Sequence, residues 1–169
     1  MSRYSDIVPE QIQYSDAALK ALARRPSHFI DGDWLLSDSG KTLDVVDPST
    51  GKVIGQIADA SEAEVDRAVA AARRAFDDGR WTGLPPMARE RLIHKLADLI
   101  EAHAGEFAEL EAIDNGKPAS VAKVMDIPAT VNMIRYMAGW ATKLSGEVID
   151  PSAMPDGAYH AYVRREPVG

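Results

Sequence analysis

The pattern that most constrains the fold is a set of three amphipathic helical segments with no run of buried strands to cover them. A capping-box sequence at Ser61–Glu64 begins the first helix, and apolar residues then recur at helical spacing. Pro85–Pro86 begins the second, whose apolar stripe continues to about Asp114, and a third is predicted over Pro128–Leu144. Nothing reads as the continuous hydrophobic strands of a parallel sheet. The core that these helices need is therefore expected outside this chain.

The rest of the regular structure is predicted to be extended. Phe29–Leu36 and Thr42–Ala58 have strand-like composition, and the second stretch contains Asp47–Gly51, in which Asp and Pro open a turn and Gly closes it. This pattern predicts a β-hairpin. Ala158–Arg165 alternates, is rich in Tyr and Val, and reads as a further strand. A short helix is expected at Asp16–Arg25, within an N-terminal arm of residues 1–28.

Composition and charge favour a globular protein with a small or apolar ligand. The 169 residues are 46% apolar and 27% charged, and the formal net charge of -7 argues against nucleic acid or an anionic membrane as partner. The chain has no cysteine, so it offers neither a disulfide nor a thiol nucleophile. No apolar run is long enough to span a bilayer and no signal peptide develops at the N-terminus, so the expected location is the cytoplasm and no membrane partner is expected.

Side chains that could carry chemistry are few and scattered. His28, His94, His103 and His160 have no metal-ligand spacing, and His103 lies on the apolar stripe, where a partly buried structural histidine is expected. Lys117 could act as a base or Schiff-base amine in a dry pocket, but its position in a turn favours a solvated side chain. Neither glycine-rich phosphate-binding pattern occurs, so no cofactor-binding residue is assigned.

Aromatic and thioether side chains recur at helix or strand spacing. They admit two interpretations, a substrate box or ordinary core packing, and core packing is favoured. The residues concerned are Trp34, Trp81, Tyr136, Met137 and Trp140.

Five sequence strings together resemble the start of the aldehyde dehydrogenase superfamily. In chain order they are Phe29–Trp34 (FIDGDW), Asp47–Ile54 (DPSTGKVI), Asp114–Pro118 (DNGKP), Tyr136–Trp140 (YMAGW) and Arg165–Gly169 (REPVG). The resemblance covers residues 29–169. It implies an α/β fold in which residues 29–157 are the N-terminal part of the NAD(P)-binding domain and residues 158–169 begin the oligomerisation strand. The hairpin, the three helices and that first bridging strand would be present, but most of the Rossmann-like sheet would be missing.

The resemblance also implies an activity. The parent enzymes oxidise aldehydes to carboxylic acids with NAD or NADP, and they assemble as dimers or tetramers. Their nucleophilic Cys, general-base Glu and oxyanion-binding Asn follow the segment that this chain resembles, so the 169 residues alone are expected to be inactive, with no catalytic residue among them. The stretch Gly139–Gly169 looks most like phenylacetaldehyde-type enzymes.

One ligand site is implied within the chain. In the family, the Asp of the DNGKP string helps to bind a structural monovalent cation together with main-chain carbonyls of the strand before the DPSTG turn. Those residues are Asp114, Val45 and Val46 here, and oxygen donors of this kind suit a hard cation. The alternative is that Asp114 only ends a helix beside Gly116.

Two further hypotheses remain open from the sequence. The chain could be a short, non-catalytic interaction module that pairs with a dehydrogenase subunit, since its apolar helix faces and last strand would seek partners. It could also be an independently folded α+β domain with another activity, although the missing sheet argues against this. The reading frame after Gly169 separates the enzyme from the interaction module, since its continuation into the catalytic residues would support the enzyme.

Overall fold

A computed structural model describes residues 14–150 and 159–169, in which a short helix and two β-hairpins precede a run of helices and a final two-stranded sheet. Residues 1–13 of the predicted arm, and residues 151–158 at the predicted domain boundary, lie outside the described part. The elements, in chain order, are α1 (Asp16–Leu22), β1 (Ser27–Ile30), β2 (Asp33–Leu36), β3 (Thr42–Val46), β4 (Val53–Ala58), α2 (Glu62–Asp77), α3 (Pro86–Ala102), α4 (Ala104–Asn115), α5 (Ala119–Val121), α6 (Ile127–Ala138), β5 (Glu147–Ile149) and β6 (Ala161–Val163).

The strands form three antiparallel pairs. The predicted hairpin is confirmed, because β3 pairs with β4 around the Asp47–Gly51 turn. The strand-like stretch at Phe29–Leu36 forms a second hairpin, β1–β2, because Asp31 and Gly32 turn the chain with positive φ angles of 55° and 92°. The strand predicted at Ala158–Arg165 is present as β6, and it pairs with β5, a short strand that the sequence pattern did not reveal.

Helix α2 begins as its capping box predicts. The Ser61 hydroxyl accepts a hydrogen bond from the Glu64 amide at 3.4 Å, and the Glu64 carboxylate accepts one from the Ser61 amide at 2.7 Å. Two of the free N–H groups at the start of the helix are thereby paired. Asp78 caps the other end of the helix, and Gly79 follows it with a φ of 75°.

The second predicted helix is in fact two helices. The chain bends at His103, whose φ and ψ of -105° and 20° end α3, and α4 begins at the next residue. Because the apolar stripe continues across this bend, the sequence pattern did not reveal the bend. The prediction that His103 is partly buried is also wrong, because its side chain is 59% exposed and lies 3.4 Å from Glu106.

The third helix is longer than predicted at its N-terminal end. Helical structure starts at Ala119, passes through a π-helical turn at Ala122–Asp126 into α6, and ends with a 3-10 turn at Gly139–Thr142. Gly146, which precedes β5, permits β6 to approach closely, because a Cβ there would collide with the Val163 carbonyl. Within the described residues, no helix combines the length and apolarity needed to cross a bilayer.

Small side chains make the helical core. Its members lie on α3, α4, the π-helical turn and α6, where short side chains allow the helix backbones to approach closely. Ile100, Ala104 and Ile134 pack against it from outside. The buried members are Ala97, Ala108, Ala122, Ile127 and Val131.

Most large apolar side chains point outwards instead. The aromatic and methionine residues favoured as core are all exposed, so that expectation is wrong, and the Trp34 ring is covered only in part, by the Arg24 guanidinium 4.4 Å from its centre and by the neighbouring Phe29 ring. The exposed fractions are 56% for Trp34, 42% for Trp81, 64% for Tyr136, 55% for Met137 and 42% for Trp140.

The capping box supports a test of local stability. Ser61→Ala removes the cap hydroxyl and should destabilise the start of α2 by about 1 kcal/mol. Hydrogen exchange of the first turns of α2 in the complete protein should then be roughly fivefold faster. Ser120→Ala is the control, since Ser120 is an exposed serine that lies within α5 and caps no helix. Equal exchange in both variants would show that the cap is dispensable.

Candidate functional site

Two turns named by their sequences meet at the centre of the candidate site. Helix α4 ends at Gly116, which adopts a left-handed conformation with a φ of 80°. A Cβ on Gly116 would lie 3.0 Å from Pro48 Cγ and 3.3 Å from Ser49 Oγ. Glycine therefore satisfies both the backbone angle and the close approach. The DNGKP turn (Asp114–Pro118) is held directly against the DPSTG turn (Asp47–Gly51).

Buried Asp47 fixes the shape of the DPSTG turn. Its side chain is 2% exposed and accepts hydrogen bonds from the Ser49 amide at 2.8 Å and the Thr50 hydroxyl at 2.9 Å. The Gly51 amide also donates to the Asp47 carbonyl at 2.8 Å. Each oxygen of this buried carboxylate already accepts a hydrogen bond from within the turn, so Asp47 is a structural group.

Two of the three predicted cation ligands line one cleft. Val45 and Asp114 face a cavity of about 340 Å³ between α1, the β3–β4 hairpin and α4. Val46 does not line it, and its side chain is 49% exposed. Val45 pairs with Gly55 but Val46 pairs with Val53, so Ile54 of β4 is an extra residue opposite them, which is the mark of a β-bulge. A bulge disrupts the ladder locally and can leave a strand carbonyl without a partner.

The Asp114 carboxylate is available for a ligand. It is exposed and accepts no hydrogen bond from the residues that the structure describes, in contrast to Asp47. No group of three or more His, Asp or Glu side chains converges in residues 14–150 and 159–169, so a cation at Asp114 would depend on main-chain oxygens. The four histidines are dispersed: His28 lies on β1, His94 on α3, His103 at the bend between α3 and α4, and His160 just before β6. The site of Asp114, Val45 and Val46 stays a prediction.

A second cavity of about 320 Å³ lies beside the DNGKP turn, and Tyr14, Asp47, Glu109 and Lys117 line it. Hydrogen bonds from Ser15, at 2.6 Å from the hydroxyl and 3.0 Å from the amide, hold the pKa of Glu109 below its ordinary value. Burial, and to a lesser extent the charge of Asp47, raises the pKa of Tyr14. Tyr14 therefore keeps its proton at neutral pH, and Glu109 is ionised.

Lys117 is held in ion pairs. Its Nζ lies 2.7 Å from Asp126 and 2.8 Å from Glu111, and about a quarter of the side chain is exposed. The hydrogen bond to Asp126, followed by that to Glu111, raises the pKa of Lys117. A catalytic amine needs the opposite shift, so the structure argues against the base or Schiff-base role. The prediction that the Lys117 side chain is solvated also needs correction, because its ammonium group is paired with two carboxylates.

Sequence reasoning identified Glu64 as part of the capping box but missed its hydrogen bond to the loop after β2. Besides its capping contacts, this 1% exposed carboxylate accepts a hydrogen bond from the Asp38 amide at 2.9 Å. Hydrogen bonds from the Ser61 amide and hydroxyl, and then from Asp38, lower the pKa of Glu64 to about 2. The capping-box spacing identified Glu64, but the contact with Asp38 joins residues 26 positions apart and leaves no local pattern.

Comparisons with known proteins agree along nearly the whole described chain. The profile of the aldehyde dehydrogenase family matches residues 34–169. An aldehyde dehydrogenase of Alternaria alternata is 46% identical over 141 residues, which are 83% of this chain and 27% of that protein. A phenylacetaldehyde dehydrogenase of Pseudomonas fluorescens is 42% identical over 143 residues, again 83% of this chain and 28% of that protein.

A solved structure supports the same relationship. The NAD+ complex of an aldehyde dehydrogenase from Bacillus cereus superposes with a TM-score of 0.83 at 42% identity. The match covers 93% of this chain and 31% of that one. This chain therefore spans less than a third of the length of each of these relatives.

The ion pairs of Lys117 predict a slow reaction with an acylating reagent. At mildly alkaline pH its amine should be acetylated several-fold more slowly than that of Lys41, which is exposed and forms no ion pair within the described residues. Asp126→Asn should speed the labelling of Lys117 and leave Lys41 unchanged, as measured by peptide mass spectrometry. Equal rates for the two lysines in the unmodified protein would contradict the assignment.

Proposed function

Because this chain belongs to the aldehyde dehydrogenase family, we propose that the complete protein oxidises an aldehyde to a carboxylic acid with NAD or NADP. The family match over residues 34–169 is the observation that carries the proposal, and the likeness to an NAD+-bound relative supports it. The bound nicotinamide would supply the hydride acceptor. A phenylacetaldehyde-like substrate is the specific proposal, supported by the 42% identical Pseudomonas fluorescens enzyme. The proposed location is the cytoplasm.

Within that enzyme, residues 1–169 serve as scaffold. They contain no cysteine and neither glycine-rich phosphate motif, so no residue here is assigned to the nucleophile or to the cofactor. The one lysine with catalytic potential, Lys117, is paired with two carboxylates. The functional groups of this segment hold its turns and helices in place.

Exposed apolar faces support the proposal that more protein covers this segment. Met133, Tyr136 and Met137 of α6 are each more than half exposed. We propose that the rest of the dehydrogenase and neighbouring subunits cover these faces. The same exposure favours the second candidate, a non-catalytic module that binds a separate dehydrogenase chain. In both cases the segment works as part of a larger assembly.

Activity separates the two candidates. The protein expressed from its complete reading frame should form NADH or NADPH when given phenylacetaldehyde, measured by absorbance. Residues 1–169 expressed alone should form none. A complete reading frame that ends at Gly169 and yields an inactive protein that binds a full-length dehydrogenase would instead establish the module.

We also propose that Asp114 and the backbone of Val45 and Val46 contribute to a monovalent-cation site. The shared cleft of Val45 and Asp114, the bulge of β4 opposite Val45 and Val46, and the Asp114 carboxylate, which has no hydrogen bond within the described residues, support this proposal. Sodium and potassium prefer such oxygen donors. The bound cation would stabilise the contact between the β3–β4 hairpin and α4, since its ligands come from both.

The cation site predicts a salt-specific stability. A cation present at about ten times its Kd stabilises the folded protein by about 1.4 kcal/mol. The complete protein should therefore melt at a higher temperature in potassium or sodium chloride than in tetramethylammonium chloride of equal ionic strength. Asp114→Asn should remove most of that difference. Asp66→Asn is the control, because Asp66 is also an exposed helix aspartate but lies away from the cleft. Equal salt dependence in the two variants would exclude Asp114 as a ligand.

A further inference from the structure

The peptide bond between Asn115 and Gly116 joins two residues that can react with each other. Asn115 is the exposed last residue of α4, and Gly116 follows it in the left-handed conformation. The main-chain nitrogen after an asparagine can attack the side-chain carboxamide, because both groups belong to one chain and close a five-membered ring. Glycine hinders this attack least, since it has no side chain. The DNGKP turn therefore contains the residue pair best suited to asparagine deamidation.

The chain has one other asparagine, and it provides an internal comparison. Asn132 lies in the middle of α6 and is followed by Met133, whose side chain hinders ring closure. The main-chain N–H of Met133 is also used in the hydrogen bonds of a helix interior. Asn132 is therefore expected to remain unmodified under conditions in which Asn115 reacts.

The cap of α4 holds back the attacking nitrogen in the folded protein. The Gly116 N–H donates a hydrogen bond to the Ala112 carbonyl at 2.8 Å, which retains the proton that must leave before the nitrogen can attack. Ring closure also requires the Cα–C bond of Asn115 to rotate away from its helical angle. Gly116 is packed so tightly that a Cβ on it would lie 3.0 Å from Pro48 Cγ, so this rotation would disturb that contact. The reaction therefore requires the DNGKP turn to separate from the DPSTG turn.

We propose that Asn115 is a deamidation site whose rate is set by the opening of the α4 cap. When the cap is open, the Gly116 nitrogen loses its proton to solvent and bonds to the side-chain carbonyl carbon of Asn115. The carboxamide C–N bond breaks, ammonia leaves with a proton taken from solvent, and a cyclic succinimide remains. Water then breaks either of the two ring C–N bonds, which gives aspartate or isoaspartate. The net reaction consumes water and releases ammonia, and nothing is oxidised or reduced.

Both products weaken the junction of the two turns. Aspartate adds a negative charge next to Asp114 and at the C-terminal end of α4, where the helix dipole is already negative. Isoaspartate adds a carbon atom to the main chain at position 115, so Gly116 cannot regain both its hydrogen bond to Ala112 and its contact with Pro48. The released ammonia does not return. Each event therefore leaves a cap that no longer closes as before.

The deamidation rate of the complete protein tests this control. Because local opening is fast compared with the chemistry, the rate follows the fraction of molecules in which the cap is open. At mildly alkaline pH, Asn115 should deamidate at least about tenfold more slowly in the folded protein than in the same protein unfolded in guanidinium chloride, since opening costs a hydrogen bond and the turn contact. Peptide mass spectrometry measures the mass change, and chromatography separates the aspartate and isoaspartate peptides. Asn132 should stay unmodified in both samples.

Pro48→Ala is the variant that favours the open cap. It removes the ring carbon Cγ that is packed against Gly116, and it should speed deamidation of the folded protein several-fold without changing the rate in the unfolded protein. Pro86→Ala is the matched control, because Pro86 is an exposed proline at the start of α3, away from both turns. Asn115→Gln should abolish the modification, since its longer side chain closes the ring far more slowly.

Two results would overturn the proposal. Equal rates in the folded and unfolded protein would show that the cap does not control the reaction, and an unmodified Asn115 in the unfolded protein would show that the site does not react. Neither result needs a variant, so the test stands even if Pro48→Ala fails to fold. After long incubation, the protein should also exchange the amide hydrogens of residues 47–51 faster than before, and Asn115→Gln protein incubated in the same way should not.

Discussion

The close approach of helices through small side chains is the contact on which the rest of this structure depends. Ala97, Ala108 and Ala122 occupy the helical core, with Val131 among its largest members. Alanines allow the backbones of α3, α4 and the π-helical turn to pack closely, but they bury little apolar area. Many larger apolar side chains of the same helices, such as Leu96, Phe107 and Met133, are exposed instead. The segment therefore buries little apolar area in its core and leaves many large apolar side chains exposed.

The exposed apolar surface of α6 is large when it is expressed as a free energy of burial. Fully burying one large apolar side chain is worth about 1.5–3 kcal/mol. Covering Met133, Tyr136 and Met137 of α6 would therefore add on the order of 5 kcal/mol, which is comparable with the net stability of a small domain. A protein rarely leaves that much exposed in its working state. These exposed faces of α6 are therefore where we propose that further protein packs against residues 14–150.

Local signals gave the parts of the fold that could be predicted from sequence. The capping box at Ser61, the DPSTG turn and the DNGKP turn each specify backbone geometry within five residues, and each is present. The bend at His103 was missed because the apolar stripe runs through it, and β5 was missed because its partner lies more than ten residues away. The shared cleft of Val45 and Asp114 followed from a family resemblance, since no periodicity relates a strand to a distant helix end. Tertiary contacts of this kind leave no trace in spacing.

The ionisable groups of the site divide by what they are bonded to. Asp47, Glu64 and Glu109 each accept a hydrogen bond from a backbone amide, and Lys117 is paired with Glu111 and Asp126. Such groups are committed to structure, because a reaction that changed their protonation would break a turn, a cap or an ion pair. Asp114 differs, since its carboxylate has no donor among the described residues and shares a cleft with a bulged strand. The ionisable groups of this site therefore mainly hold its elements together, and Asp114 is the carboxylate at which we propose a bound ion that would reinforce them.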